Sequence, residues 1–302
     1  MKLTLRQMEY IVAIAETGQF ALAARRLNVS QPSLSAQVAE LEQACGGKLF
    51  QRGRSGATLT PLGQDAVLRI RKILREVDDL KHTLRGGGMN GQIKLGVLPS
   101  IGPYLLPPVV HNLHRHFPDV RLVVRELNTV DLEKHLRSVQ LDMIISTPED
   151  HPGTFQIPLF REKLWAAVAK DDPLAQSAYP VPLSALAGRM FLTLEKGHRL
   201  SAIVHGLADK AQAYVSEEYQ GTSLDAVRLM AATGAGVAIL PDVYARTEAR
   251  RGSDVHLLPI QDPAAQRDIC LVLSRAPDHT DQINDLASLI IQAHANITQI
   301  RV

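Results

Sequence analysis

The stretch FALAARRLNVSQPSLSAQVAELEQAC, residues 20–45, constrains the fold more than any other part of the sequence. It begins with a short alanine-rich segment, passes through a tight turn at Asn28, and continues into a segment whose first turn Ser30 can cap. In that second segment Leu34 and Val38 recur at helical spacing and predict a buried stripe. A short helix, a tight turn and a second helix are the arrangement of a helix-turn-helix.

The first turns of the second helix carry small or amide side chains and no charged ones. An ordinary solvated helix would carry Lys and Glu there, whereas uncharged hydrogen-bonding groups can approach the edges of DNA bases closely. The alternative is a helix that merely begins with polar residues. The residues predicted to contact the DNA bases, called the reading residues below, are Ser30, Gln31, Pro32, Ser33, Ser35 and Gln37.

The segment after this helix is typical of a two-stranded wing. Gly46 and Gly47 break the helix, and apolar residues flank a turn that holds Arg52 and Arg54. Arginines at the tip of a hairpin suit a phosphate backbone or a minor groove. A solvated basic loop is the competing interpretation.

The charge distribution favours the nucleic-acid interpretation. Residues 1–89 contain 13 Lys and Arg against 8 Asp and Glu, whereas the rest of the chain contains 20 against 23. A basic first third on a mildly acidic remainder indicates a polyanion-binding module joined to another domain. We therefore expect a double-stranded DNA partner.

Two more helices complete the first third. Thr4 and Gln7 form a capping box ahead of an apolar-periodic segment. A long helix runs from Pro61 through Arg85, followed by the glycine hinge 86–88. Its apolar residues recur at heptad-like spacing, which predicts pairing with a second copy of the chain rather than with its own chain. These residues are Leu62, Ala66, Ile70, Ile73, Val77, Leu80 and Leu84.

From Gln92 onward, strand-like and helix-like segments alternate, which predicts parallel sheets with crossover helices. Ligands of such folds bind beyond the carboxyl ends of the strands, against the starts of helices. Hydroxyl side chains occupy several of these ends, and we expect them to meet in one cleft, although helix capping explains part of the pattern. They are Ser100, Thr129, Ser146, Thr147, Thr222 and Ser223.

Several other classes of protein are disfavoured. The chain shows no nucleophile elbow, phosphate loop or HExxH pattern, so we expect no enzyme and no cofactor. A solute-binding protein would need export, and neither a signal segment nor a membrane span is evident, so we expect a cytoplasmic protein. The histidines of HNLHRH, residues 111–116, have no acidic or thiol partner nearby, so we predict no metal site there.

The residues FALAARRLNVSQPSLSAQVAELE, the wing LFQRGRSGATLTPLG and the linker helix resemble LysR-type transcriptional regulators, and the resemblance extends over nearly the whole chain. It implies an α/β protein with a winged helix-turn-helix at 1–60, a linker helix and hinge at 61–88, and a two-lobed, periplasmic-binding-protein-like effector domain at 89–302. Lobe I would comprise 89–162 with 268–302, and lobe II 163–267. It also implies a pseudo-palindromic DNA site, a homodimer or homotetramer, and RNA polymerase as a partner.

Within that family the segments GVLPSIGPYLLP, LEKGHRL, GTSLDAVRLM and GVAILP look like the OxyR subgroup of peroxide sensors. The resemblance places a reactive cysteine directly after His198 and a resolving cysteine nine positions later, where this chain has Arg199 and Ala208. The usual cysteine switch therefore cannot operate. We expect Cys45 and Cys270 to be buried structural thiols.

We predict instead a small-molecule effector, more readily anionic than neutral, with His198 and Arg199 at the edge of its cleft. Arg199 would place a permanent cation where the subgroup holds its sulfur. Two alternatives stay open: Arg199 points to solvent, or the protein senses redox conditions through other chemistry.

Overall fold

The structure, a computed structural model, describes residues 3–53, 56–84, 91–176, 179–252, 254–276 and 280–300. Residues 1–88 together with Ser138–Gln140 form one compact unit, and residues 89–137 with 141–302 form a second. Arg85 and the predicted hinge 86–88 lie outside the described residues. Within the described ranges, no helix combines the length and the apolar character needed to cross a bilayer.

The first unit is a winged helix-turn-helix with a long helix attached. A single core of its own unites α1, α2, α3, the wing and the start of α4. The elements are α1 Leu5–Thr17, α2 Phe20–Arg26, α3 Gln31–Cys45, β1 Phe50–Gly53, β2 Gly56–Leu59 and α4 Pro61–Leu84.

Local chemistry fixes the ends of the first helices. Thr4 and Gln7 form the predicted reciprocal capping box at the start of α1, and Gly18 ends α1 in the left-handed conformation, with φ of 66°. Asn28 also adopts a positive φ, of 54°, in the turn between α2 and α3. The Ser30 Oγ accepts a hydrogen bond from the backbone N–H of Ser33 at 3.3 Å. These caps set the angle at which α3 leaves the turn.

The apolar residues of α4 fall on two stripes rather than one, and this corrects the predicted single seam. Val67 and Ile70 are buried in the core of the first unit. Leu62, Ile73 and Leu80 are 47%, 42% and 57% exposed, respectively. The two stripes lie about 100° apart around a helix of 3.6 residues per turn. Part of the seam therefore packs against its own chain, and only the exposed stripe is available to a second copy.

The second unit contains two lobes, each with its own hydrophobic core. Its helices are α5 Gly102–His116, α6 Thr129–Arg137, α7 Arg199–Ala211, α8 Leu224–Ala232, α9 Asp242–Tyr244, α10 Arg250–Gly252 and α11 Thr280–Thr298. Its strands are β3 Gly91–Val97, β4 Val120–Glu126, β5 Met143–Ser146, β6 Phe155–Ala169, β7 Val181–Pro182, β8 Met190–Leu194, β9 Tyr214–Gly221, β10 Val237–Pro241, β11 Val255–Gln261 and β12 Gln266–Leu273.

The sheets are mixed, whereas the alternating pattern predicted parallel ones. In lobe I the strands β3, β4 and β5 are parallel, and in lobe II β8 pairs in parallel with both β9 and β10. The 15-residue strand β6 is shared: its first half pairs antiparallel with β12 and its second half with β10 and β11. The carboxyl ends of the parallel strands carry the predicted site residues in both lobes.

Candidate DNA interface and inter-lobe site

The start of α3 presents the predicted reading residues at one exposed surface. Gln31, Ser33 and Gln37 are exposed, as are Ser30 and Pro32, and Ser35 is half-buried. Leu34, Val38 and Leu41 on the opposite side of the helix are buried in the core. The anchored apolar stripe therefore holds an uncharged, hydrogen-bonding face outward, as base recognition in a major groove requires.

The wing is a two-stranded hairpin in which Arg52 pairs across to Ala57. The guanidinium carbon of Arg52 lies 4.2 Å from the centroid of the Phe20 ring, so the charge is held on an aromatic face while the residue stays exposed. Such a restrained cation suits a phosphate. Arg54, the other arginine predicted for this surface, lies outside the described residues.

Sequence reasoning missed the residue that joins α3 to the wing. Glu42 is 4% exposed, and its carboxylate accepts hydrogen bonds from the backbone N–H groups of Leu49, at 2.8 Å, and Phe50, at 3.2 Å. Burial alone would raise the pKa of Glu42, but these bonds and the ammonium of Lys48 lower it below its usual value. An ionised Glu42 thereby fixes the position of the wing relative to α3.

In lobe I, two predicted hydroxyls lie at the carboxyl edge of the sheet. Ser100 follows β3, is buried, and its Oγ accepts a hydrogen bond from Arg267 at 3.1 Å. Thr129 begins α6, directly beyond β4. Its Oγ1 is buried, and no described group forms a hydrogen bond with it. A buried hydroxyl without a partner is unfavourable unless a ligand or water supplies one.

Arg267 takes part in a buried ion pair behind Ser100. Its Nη2 lies 2.8 Å from a carboxylate oxygen of Glu162, which is fully buried and also accepts the backbone N–H of Val243. The two residues pair across strands β12 and β6. Burial raises the pKa of Glu162, and the adjacent Arg267 opposes that rise. The pair lies where β6 passes from one lobe to the other.

The two other predicted hydroxyls of lobe I are engaged by protein groups. Ser146 and Thr147 are both fully buried. The Thr147 hydroxyl donates to Asp150, and His151 Nε2 lies 2.8 Å from Ser146 Oγ. A carboxylate only accepts, so the N–H at His151 Nδ1 donates to Glu133, and in the neutral imidazole Nε2 accepts a hydrogen bond from the Ser146 hydroxyl.

Acid, imidazole and hydroxyl in this order resemble the connectivity of a nucleophilic triad. Ser146 is 0% exposed, however, so its Oγ is closed to a substrate carbonyl. His151 is equally buried, and Glu133 also accepts a hydrogen bond from Arg137. The chain of bonds instead fastens the turn 147–151 to α6 and to the end of β5.

Replacing His151 with alanine is expected to lower the free energy of unfolding by about 1–3 kcal/mol, because the buried hydroxyl of Ser146 loses its partner and the partly exposed carboxylate of Glu133 loses one of two. The hydrogen bonds of His151 and Arg137 outweigh the opposing effect of burial and lower the pKa of Glu133. The ionised Glu133 carboxylate therefore stabilises the folded state above the pKa that Glu133 has in the unfolded chain. This stabilisation is lost as the pH falls through the lower pKa of the folded state. In urea denaturation between pH 7 and pH 3, the free energy of unfolding of His151→Ala should fall less steeply with decreasing pH than that of the wild type.

The matched control is His116→Ala, since His116 is exposed and its hydrogen bond goes to the Asn112 carbonyl of its own helix. It should leave both the free energy of unfolding at pH 7 and its dependence on pH unchanged. Equal stability of His151→Ala and the wild type at pH 7 would show that the buried chain of bonds does not hold this turn.

In lobe II, Arg199 is the first residue of α7, and His198 is its N-cap. Arg199 points toward lobe I: its Nη1 lies 3.3 Å from Asp150 Oδ1, and its Nε is buried and has no hydrogen-bond partner among the described residues. The side chain is therefore only partly solvated, at 33% exposure, and its charge is already shared with a carboxylate. Burial lowers the pKa of His198, with Glu195 opposing, which favours the neutral imidazole.

The remaining predicted hydroxyls, Thr222 and Ser223, are exposed at the start of α8. Ser223 Oγ accepts the backbone N–H of Ala226 at 3.2 Å, which is ordinary helix capping. The lobes also meet where the ring of Tyr104, on α5, packs edge to face against the ring of Tyr244, on α9, with the centroids 4.9 Å apart. The carboxyl edges of the two lobes therefore face each other.

The cysteine predictions are half right. Cys270 is buried in β12, and burial raises the pKa of its thiol to about 12, so almost no thiolate exists at neutral pH. Cys45 is exposed, contrary to prediction. It is the last residue of α3, and Gly46 turns the chain away before the buried stripe extends that far.

Comparison with known proteins agrees with this architecture. Residues 5–64 match the family described as bacterial regulatory helix-turn-helix protein, lysR family, and residues 86–295 match the LysR substrate binding domain. The dual regulator OxyR of Escherichia coli K12 is 34% identical over 291 residues, which cover 95% of each chain. The chain belongs to the LysR family.

Solved structures agree with this assignment. A cysteine-to-aspartate variant of full-length OxyR from Pseudomonas aeruginosa matches with a TM-score of 0.79 and 29% identity, covering 96% of this chain and 98% of that one. Full-length CbnR in complex with its target DNA shares the fold, with a TM-score of 0.65 and 22% identity, covering 96% and 100%. This LysR-type protein is thus a DNA-binding transcriptional regulator and not an enzyme, and its C-terminal domain is an effector-binding domain.

Proposed function

We propose that this LysR-type regulator acts in the cytoplasm and reads a pseudo-palindromic operator with Ser30, Gln31, Pro32, Ser33, Ser35 and Gln37. A small effector bound between the facing edges of the two lobes sets its activity. The first contacts are Ser100 and Thr129 from lobe I and Arg199 from lobe II. His198, Thr222 and Ser223 lie at the rim, and Ser146 and Thr147 support the floor.

One observation carries the effector site. The facing edges hold two buried hydrogen-bonding groups, Thr129 Oγ1 and Arg199 Nε, with no partner among the described residues. Buried polar groups are almost always satisfied, so a bound molecule is expected to supply an acceptor. An acceptor that carries negative charge would also bind the guanidinium of Arg199.

A thermal-shift screen of small carboxylates and phosphates against the full-length chain tests the site. A cognate compound should raise the melting temperature, because it binds the folded state alone. Thr129→Val should reduce the affinity of that compound at least about fivefold by calorimetry, since one hydrogen bond is worth about 1 kcal/mol. The control is Thr233→Val, since Thr233 bonds its own helix at an exposed position. Equal affinity of both variants would place the effector elsewhere.

Oligomerisation follows from the exposed stripe of α4, Leu62, Ile73 and Leu80, which we propose joins two chains into a dimer. Resemblance to the family further supports a homotetramer and a contact with RNA polymerase.

Ile73→Asp with Leu80→Asp should dissociate the dimer, because two carboxylates would be buried in an apolar seam. Light scattering should show a halved mass at micromolar concentration. Lys72→Asp on the same helix should keep the mass, and an unchanged mass of the double variant would contradict the seam.

Redox sensing by chemistry other than the usual cysteine pair is the second candidate, because the exposed Cys45 leaves one accessible thiol. We expect no thiol-dependent response. Cys45→Ser with Cys270→Ser should leave the DNA affinity unchanged with and without peroxide, measured by fluorescence anisotropy. If peroxide changes the affinity of the wild type and not of this double variant, the redox interpretation is right.

A further inference from the structure

The turn that carries Asp150 is a rigid platform at the edge of lobe I. Thr147 donates its hydroxyl hydrogen to the Asp150 carboxylate, and His151 is fastened below to Glu133 and Ser146. The Gln156 amide donates to the carbonyls of Pro148 and His151, both at 3.0 Å. Asp150 Oδ1 is thereby held in a fixed position, facing lobe II.

The group that meets this platform is less constrained. Arg199 approaches Asp150 through Nη1 alone, at 3.3 Å, which is longer than the 2.7–2.9 Å typical of charge-assisted bonds. Its side chain is 33% exposed, against 17% for Asp150. The contact is a partly buried ion pair made through one long bond, which can open at low cost and close again.

The backbone connects the two lobes through two segments, which are β6 and the stretch that leads into β12. The ion pair between Asp150 and Arg199 is a further connection, made by side chains. Asp150 follows the last strand of the parallel set in lobe I, and Arg199 begins the helix after β8 in lobe II. A rotation of the lobes about β6 and β12 would separate these two side chains while leaving the backbone connections intact.

We propose that Asp150 and Arg199 form an electrostatic latch between the lobes, which biases the effector domain toward its closed arrangement before any effector binds. An ion pair of this kind shifts a two-state equilibrium by roughly 1.5- to fivefold. The latch acts without an effector, so it goes beyond the proposed ligand site. An anion that takes Arg199 would compete with Asp150 and open the latch.

Hydrogen exchange of the full-length, effector-free protein tests the latch through four backbone amides. Asp150 and His151 are bonded within the platform turn, and Ser201 and Ala202 are bonded in the first turn of α7. Asp150→Asn and Arg199→Gln should each accelerate exchange at both places by about 1.5- to fivefold, because opening exposes both surfaces. The double variant should exchange no faster than either single one, because both remove the same interaction.

The matched control is Asp268→Asn, which breaks the exposed pair Arg161–Asp268 between two strands and should change neither place. Additive effects in the double variant would overturn the latch, as would acceleration confined to the mutated lobe. Circular dichroism verifies that each variant is folded. If Arg199→Gln fails to fold, Asp150→Asn still tests the latch, because it is made in lobe I and its effect is read at the amides of Ser201 and Ala202 in lobe II. The outcome is independent of the effector screen, because no ligand is present.

Discussion

Replacing Glu162 with alanine is expected to destabilise the effector domain by about 3–5 kcal/mol. The substitution leaves the guanidinium of Arg267, which is 4% exposed, buried without its countercharge. It also removes the acceptor for the backbone N–H of Val243 at the start of α9. The loss of one buried charge is severe because the other must remain ionised in a poorly solvated site.

Strands β6 and β12 supply a control at the next pair of positions. Arg161 and Asp268 also form an ion pair across these strands, but their side chains are 61% and 43% exposed. Asp268→Ala should cost less than about 1 kcal/mol, since water replaces the lost contact. The two substitutions differ mainly in burial, so the difference in unfolding free energy isolates its effect.

Denaturation by urea, followed through the fluorescence of Trp165, measures both variants. Trp165 is the only tryptophan of the chain and is buried in β6, three residues from Glu162. Glu162→Leu combined with Arg267→Met should recover much of the loss, because both charges are then replaced by apolar groups. Equal stability of Glu162→Ala and Asp268→Ala would show that the buried pair contributes no more than an exposed one.

The helix-turn-helix could be predicted from sequence because its signals are local. Thr4 with Gln7, Gly18 and Ser30 each fix a helix end through contacts within four residues. Helix α8, Leu224–Ala232, begins at a local signal of the same kind, since Ser223 caps it. Short-range hydrogen bonds leave a readable pattern in the chain.

Other elements left no such pattern. Strand β9, Tyr214–Gly221, lies at the edge of its sheet and alternates little between apolar and polar residues, so the sequence carries little sign of a strand there. The first half of β6 contains Pro158 and charged residues, which hide a strand that is paired on one side by β12. Pairing with strands far along the chain, rather than local preference, holds both in extended form.

The positions of the hydroxyls in lobe I could be predicted from the sequence, whereas their hydrogen-bond partners could not. Parallel strands place Ser100 and Thr129 at one edge, as expected. The partners that decide what each hydroxyl can do are distant: Arg267 lies 167 residues from Ser100, and Asp150 lies 49 residues from Arg199. Spacing in the sequence holds no record of such pairs, so the neutralisation of Arg199 could not be foreseen.

Gln31→Ala is expected to relax the preference for one base pair of the operator, at a cost of about 1–3 kcal/mol in specific binding. Gln31 is exposed at the first turn of α3, and its amide can bond a base edge with both its oxygen and its nitrogen. Binding to random duplexes should change little, because the amide makes no charged contact with phosphate. The control Gln43→Ala removes an exposed amide near the other end of the same helix and should change neither.

Arg52→Ala should have the complementary effect, since a cation on the wing contacts phosphate whatever the base sequence. Specific and random duplexes should be weakened alike, and the slope of log affinity against log salt should flatten by about one unit. Because the Phe20 ring holds the guanidinium, Phe20→Leu should produce a smaller loss of the same kind.

Fluorescence anisotropy at three salt concentrations separates the two effects, with specific duplexes selected from a random pool by the wild-type protein. A base-reading residue changes the ratio of specific to random affinity, whereas a phosphate-binding residue changes both affinities and leaves the ratio alone. If Gln31→Ala keeps the wild-type ratio, or Arg52→Ala keeps the wild-type salt slope, the surface assigned to that residue does not face the DNA. The distinction holds because a neutral amide releases no counterion on binding, whereas a guanidinium that neutralises one phosphate releases about one.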